Sequence, residues 1–352
     1  MVKKQKKTEP LPRTLKRVAV FMLDDRMGDF VLSLPTLARF AVHFEGRADL
    51  YVARQHTPLA GLLPPFREII PYIHQTKKRK SFNQLCGFLG LMLKLPFKRY
   101  QAVVFISGRI TESTLAVLSL SPRRIALDWA RRKGAYNWLI DISHTGKHMA
   151  QRTGALLQCI GDTAPLEPIR LRAPATDTQR LETILFANHL GEGQKLAVIH
   201  PSAGLAHRCW PKDRFAFVAD ALVECGMKVC FIGAPGEFGF INEIKNLMEH
   251  QGDAFFLAEK LTVLLALFER ADLLFSNESG PTHLAATTDI PIVTIFGPTD
   301  PECWSPMRKE NLTLLSKREL CQCDDPRFCN IDWPCIKNIT VEEALHALEE
   351  YV

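Results

Sequence analysis

At 352 residues, 47% of them hydrophobic and 23% charged, the chain exceeds what one hydrophobic core usually organises and has the balance of an ordinary globular protein. Two domains are expected, and neither a membrane-embedded nor a disordered chain fits. A formal net charge of +6 is modest, and no nucleic-acid partner is expected.

The start MVKKQKK is followed by TEPLPRTLKR, with no apolar segment of the kind an export signal carries, so we expect a cytoplasmic chain whose ten cysteines are reduced thiols. The run Leu85 to Leu93 is cut short by Lys94, below the roughly 20 residues a spanning helix needs.

In chain order, Val18 to Leu23 reads as a strand, followed by a Gly-containing turn and a helix over Phe30 to Phe44. Strands Leu50 to Ala53 and Ala102 to Ile106 follow, with a helix over Ser113 to Leu120. This alternation argues for a parallel sheet covered by helices. The Pro-containing stretch Arg172 to Thr178 breaks the pattern and reads as the interdomain linker, dividing the chain into 1–174 and 175–352.

The pattern then restarts: strand Leu196 to His200, helix Pro211 to Cys225, strand Val229 to Gly233, helix Asn242 to His250, and strands Leu273 to Ser276 and Ile292 to Phe296. Thr340 and Glu343 make a capping box for a last helix running towards Tyr351. The expected class is α/β, with two Rossmann-like, doubly wound domains.

Ligands of open α/β sheets bind beyond the carboxyl ends of the strands, so the loops there carry the candidates. In Asp24-Asp25-Arg26-Met27-Gly28-Asp29, Gly28 permits a sharp turn and Asp29 is placed to take a proton from a substrate hydroxyl, or to cap the helix. In Gly204 to Pro211, Arg208 is expected at a helix start, where a cation opposes the dipole unless a phosphate is bound there; a solvated Arg is the plain alternative. Glu237, after the tight turn Gly233-Ala234-Pro235-Gly236, has the place of an acid that binds ribose hydroxyls. In Ser276 to His283, the residues Ser279, Gly280 and Pro281 open a helix and suit a pyrophosphate. Neither GxxxxGK[ST] nor GxGxxG occurs, which leaves kinase-type and dehydrogenase-type phosphate loops unsupported.

Arg26-Met27-Gly28-Asp29 with Leu34-Pro35, Arg208-Cys209-Trp210-Pro211, Asn277 to Ala286, and Phe296 to Pro301 together resemble, in order and spacing, the motifs of glycosyltransferase family 9, the heptosyltransferases of the lipopolysaccharide inner core. The resemblance implies a GT-B fold with two domains facing a central cleft. The N-terminal domain would bind the acceptor and the C-terminal domain the nucleotide sugar, with a last helix crossing back to the first. It implies inverting transfer of heptose from ADP-heptose to a lipid-linked core oligosaccharide, with no cofactor or metal. Asp29 would be the general base and Arg208 the partner of the departing diphosphate. Glu237 would hold the ribose, and Leu261 and Thr262 would contact the adenine. Glu278, Ser279, Gly280, Pro281 and His283 would line the pyrophosphate and donor sugar.

Three departures stand out. Arg208 replaces the family's usual Lys, Glu278 its shorter acid, and Val103 to Gly108 lacks the Asp and Gln often found after this strand. A GT-B transferase with another nucleotide sugar or a protein acceptor, and a non-catalytic nucleotide-binding relative, are the competing readings.

For an anionic acceptor, Arg123, Arg124, Arg131 and Arg132 are the candidate contacts. The clusters Lys3 to Lys7 and Lys77 to Lys80 suit either anionic headgroups, with the chain peripheral on the inner face of the inner membrane, or solvent. Cys321, Cys323, Cys329 and Cys335 have spacing unlike paired CxxC zinc frameworks, and a structural role is expected over a metal.

Overall fold

In a computed structural model of the chain, residues 9–73, 82–308, 310–321, 329 and 332–352 are described. The chain forms two units, Met1–Ile169 and Arg170–Val352, where the sequence places the boundary at residue 174.

The first unit runs β1 (Val18–Met22), α1 (Met27–His43), β2 (Ala48–Ala53), α2 (Thr57–Ala60), β3 (Glu68–Tyr72), α3 (Phe82–Lys94), β4 (Ala102–Phe105), α4 (Ile110–Leu118), β5 (Arg124–Leu127), β6 (Trp138–Ile140) and α5 (Met149–Gly154). All its strand pairs are parallel. Strands covered by helices on both faces read as continuous apolar runs, as VAVFM and AVVF do here. The sheet order is β3-β2-β1-β4-β5-β6. Phe21 of β1 stacks on Tyr51 and Phe105 of its two neighbours, with centroids at 4.4 and 4.5 Å.

The second unit runs α6 (Ala175–Ala187), β7 (Leu196–His200), α7 (Lys212–Glu224), β8 (Lys228–Ile232), α8 (Phe238–Lys245), β9 (Ala254–Leu257), α9 (Leu261–Arg270), β10 (Leu273–Asn277), α10 (Gly280–Ala285), β11 (Ile292–Phe296), α11 (Pro301–Trp304), β12 (Leu312–Ser316), α12 (Pro334–Lys337) and α13 (Val341–Leu348). Its sheet, β12-β11-β10-β7-β8-β9, is also parallel throughout. It repeats the order of the first, with β7 and β10 in the places of β1 and β4. In each unit the order reverses between those two strands, and the crevice beyond their carboxyl ends is where ligands of such sheets bind.

The stretch expected as a linker is half helix, since α6 begins at Ala175 behind Pro174. The missing N–H of a proline costs nothing at a helix start, and Leu181 and Leu185, one turn apart, bury the inner face. The capping box of α13 forms: the Thr340 N–H donates to Glu343 at 2.8 Å, and the Glu343 N–H donates back to Thr340 Oγ1 at 3.2 Å. Where the resemblance implies a last helix crossing to the first unit, the buried residues of α13, Ala344 and Leu348, belong to the core of the second. In the same core the indole N–H of Trp210 donates to the Ile339 carbonyl at 2.8 Å. No helix among the described residues is long and apolar enough to cross a membrane.

Candidate active site

The crevice of the first unit is lined by the loops after β1 and β4. Asp29 does not precede α1 but lies in its first turn. Gly28 is likewise helical and is not among the residues with positive φ, so the sharp turn expected of it is not made there. The chain is turned instead by Asp24, whose carboxylate accepts from the Arg26 backbone N–H at 3.0 Å. The Arg26 guanidinium meets both Asp29 oxygens at 3.1 Å and Asp24 at 3.1 Å. Burial pushes the Asp29 carboxyl up to about 6, and Asp24 adds to the rise while Arg26 and Arg109 oppose it.

Arg109, at the carboxyl end of β4, ion-pairs with Asp24 at 2.7 Å and Asp25 at 3.3 Å. It follows directly on Val103 to Gly108, the segment that lacks the Asp and Gln. Its place in the loop between strand and helix was the available signal, and it was overlooked. Glu112, one turn on, is fully buried and pushed up to about 7 by that burial, while the Gly108 and Arg109 backbone pull the other way.

The four acceptor candidates separate. Arg123 and Arg124 are at the amino end of β5, away from the Asp29 end of the sheet. Arg124 spends its guanidinium on the Ala135 and Ser121 carbonyls, at 2.8 and 2.9 Å. A strand's first residue cannot reach the crevice at its far end, so these two are not brought to the site. Arg131 and Arg132 follow the carboxyl end and are exposed, and Arg132 lines an open groove of about 480 Å³ beside α4.

In the second unit, Arg208 does not open α7. It ends a separate 3-10 turn, Ala206–Arg208, which removes the supposed conflict with the α7 dipole. It faces Glu278 at 3.3 Å, and its Nε is buried without a hydrogen-bond partner among the described residues. Burial raises the Glu278 carboxyl while Arg208 pulls it down. His283 Nε2 is 4.0 Å from the same carboxylate.

Ser279 is the N-cap residue of α10, with Gly280 and Pro281 in its first turn. The Ser279 hydroxyl is 2.9 Å from His200 Nδ1, and His200 Nε2 is 3.1 Å from the Ser202 hydroxyl. Burial lowers His200 to about 4, so the ring is neutral at pH 7 and fixes the two hydroxyls. The apolar run that ends in His200 hid it from sequence reasoning. Glu237 caps its own 3-10 turn by accepting from the Ala234 N–H at 2.6 Å, which leaves its second oxygen for another donor. Leu261 is half-buried at the start of α9, whereas Thr262 is buried and its hydroxyl bonds Asp177.

The lysine clusters Lys3 to Lys7 and Lys77 to Lys80 lie outside the described residues, as does Cys323. Among the described residues no group of three His, Cys, Asp or Glu could hold a metal ion.

A model of glycosyltransferase family 9 (heptosyltransferase) matches residues 89–330. Lipopolysaccharide heptosyltransferase 3 of Escherichia coli is 25% identical over 288 residues, 79% of this chain and 83% of that one. A glycosyl transferase of family 9 from Veillonella parvula superposes with a TM-score of 0.79 at 18% identity, covering 97% of this chain and 98% of its own. The E. coli ADP-heptose lps heptosyltransferase II superposes with a TM-score of 0.75 at 19% identity, covering 95% and 98%. With two doubly wound parallel sheets of the GT-B type and a family model that matches more than half of its length, the chain belongs to glycosyltransferase family 9, the heptosyltransferases.

Proposed function

We propose that this heptosyltransferase moves heptose from ADP-heptose to a sugar of the lipopolysaccharide inner core, with inversion at the anomeric carbon. The observation that carries the reading is Asp29, a largely buried carboxylate pushed up to about 6 beyond the carboxyl end of β1. As the acceptor hydroxyl attacks the anomeric carbon, Asp29 takes its proton, the bond from that carbon to the diphosphate oxygen breaks, and ADP leaves.

Arg208 meets the charge of the departing diphosphate, held in place by Glu278 at 3.3 Å. Ser279, Gly280, Pro281 and His283 line the pyrophosphate and donor sugar, the free oxygen of Glu237 takes the ribose, and Leu261 and Thr262 flank the adenine. Arg131 and Arg132 meet anionic groups of the acceptor. With Arg208 and backbone N–H groups on the diphosphate, the reaction needs no divalent metal. The acceptor is lipid-linked, and the chain works in the cytoplasm, peripherally, at the inner face of the inner membrane.

The test is a transfer assay with ADP-heptose and other nucleotide sugars against truncated core acceptors, each with and without a chelator. Transfer from ADP-heptose to one truncated core, unchanged by EDTA, is expected. Transfer from a different nucleotide sugar alone sinks the donor assignment, and loss of turnover in EDTA sinks the metal-free account.

A further inference from the structure

α3 docks on the core of the first unit through Phe88, Leu91 and Met92, the spacing of one helix face. Its other side also carries large apolar residues. Leu89 and Leu93, one turn apart, are 45% and 71% exposed, and the 3-10 turn that follows, Leu95–Lys98, adds Phe97 at 82%. Leu95, fully buried, anchors that turn. Single exposed apolar residues are ordinary, as Phe186 is on α6 beside Glu182. Three large ones along one ridge are not.

The charge around the ridge is predominantly positive. Lys94 and Arg99 are exposed beside it, and Lys98 reaches Glu68 at 3.2 Å. Between Glu68 and Glu112 the sequence contains no acidic residue. Apolar side chains rimmed by amines and guanidinium groups complement the boundary between acyl chains and anionic headgroups, with the long cationic stems lying along the apolar layer.

We infer that Leu89, Leu93 and Phe97, ringed by Lys94, Lys98 and Arg99, are the element through which the first unit docks on an anionic lipid bilayer. Its purpose rests on the lipid-linked acceptor proposed above. The apolar ridge enters the acyl boundary and the cations stay at the headgroups. Attraction through the cations falls with salt, since the Debye length shrinks from about 10 Å at 0.1 M to about 3 Å at 1 M.

The test uses the full chain with phosphatidylglycerol-rich and with pure phosphatidylcholine vesicles, read by cosedimentation. Binding to the anionic vesicles only, weakened by salt, is expected. The double variant Leu93→Gln, Phe97→Gln should lose about tenfold or more in vesicle affinity while transferring normally to a delipidated, soluble acceptor. In Leu93→Trp, the emission added to that of the parent chain should shift to the blue on anionic vesicles.

Undiminished vesicle binding by the double variant overturns the inference, as does unshifted emission from vesicle-bound Leu93→Trp. A double variant that changes only its sedimentation as an oligomer assigns the ridge to a second copy and overturns it too. Vesicle binding is read without catalysis. A chain that inserts but transfers nothing upholds the docking and sinks the transfer reading, and one that transfers to soluble acceptor but ignores the vesicles does the reverse.

Discussion

A base that works near neutral pH gains from a pKa close to the working range, and Asp29 is set there by opposed effects: burial and Asp24 raise it, Arg26 and Arg109 lower it. In the proposed role the deprotonated form is the active one, so turnover should be present above about pH 6 and fall as the pH drops through that value. Arg26→Ala removes a lowering charge, so the acid limb of the pH–rate profile should move to higher pH; an unmoved limb would separate Arg26 from the base. Asp29→Asn should cost about 10²- to 10⁴-fold in kcat with ADP affinity nearly unchanged. If calorimetry shows ADP binding lost along with turnover and circular dichroism shows the fold lost too, the role of Asp29 is structural. Asp29 was legible in the sequence because a carboxylate after a strand is visible wherever strands alternate with helices. Arg26 stood in the same motif but gave no sign that it grips both Asp24 and Asp29. His200 was not legible as a positioning group, since its partners Ser202 and Ser279 come from two loops far apart in the chain.

The elements that place the loops proposed to hold the donor are joined by Asn277, the last residue of β10. Its side chain accepts the Trp210 backbone N–H at 3.1 Å and donates to the Pro201 carbonyl at 2.5 Å. The end of β10 thereby holds the loop after β7 and the start of α7 together. Asn277→Ala strands two backbone groups with no partner in a buried place, at about 1–3 kcal/mol for each group left unsatisfied. Thermal denaturation should register a lower Tm, and ADP affinity should fall with it; an unchanged Tm would mean that water replaces the amide. The strands found from the sequence are those with continuous apolar runs. Those missed are short or at sheet edges, such as RIAL in β5, WLI in β6, and EIIPY in β3, where Pro71 argues against a strand. An edge tolerates proline because one side of its ladder is empty, a context the local pattern does not carry.

On the scale of the whole molecule, two units with one strand order follow from a pattern that stops and restarts, and each has a separate core built from its own residues. The sequence put the boundary a few residues late because the polar Pro-containing stretch doubles as the first turn of α6. Separate cores predict separate responses to ligand: by mass action ADP should raise the melting transition of the second unit, and Asp29→Asn should leave that rise intact. A variant whose rise disappears would tie Asp29 to nucleotide binding. The bond from Trp210 to Ile339, with Ala344 and Leu348 in the same core, has a consequence for synthesis. Domains fold as units while the chain is still being made. All six strands of the first sheet are available once Ile140 has left the ribosome, whereas the second core waits for residues near 348. The nascent enzyme therefore passes through a stage in which its first unit is folded and its second still shows unburied strands, the stage at which chaperones would meet it.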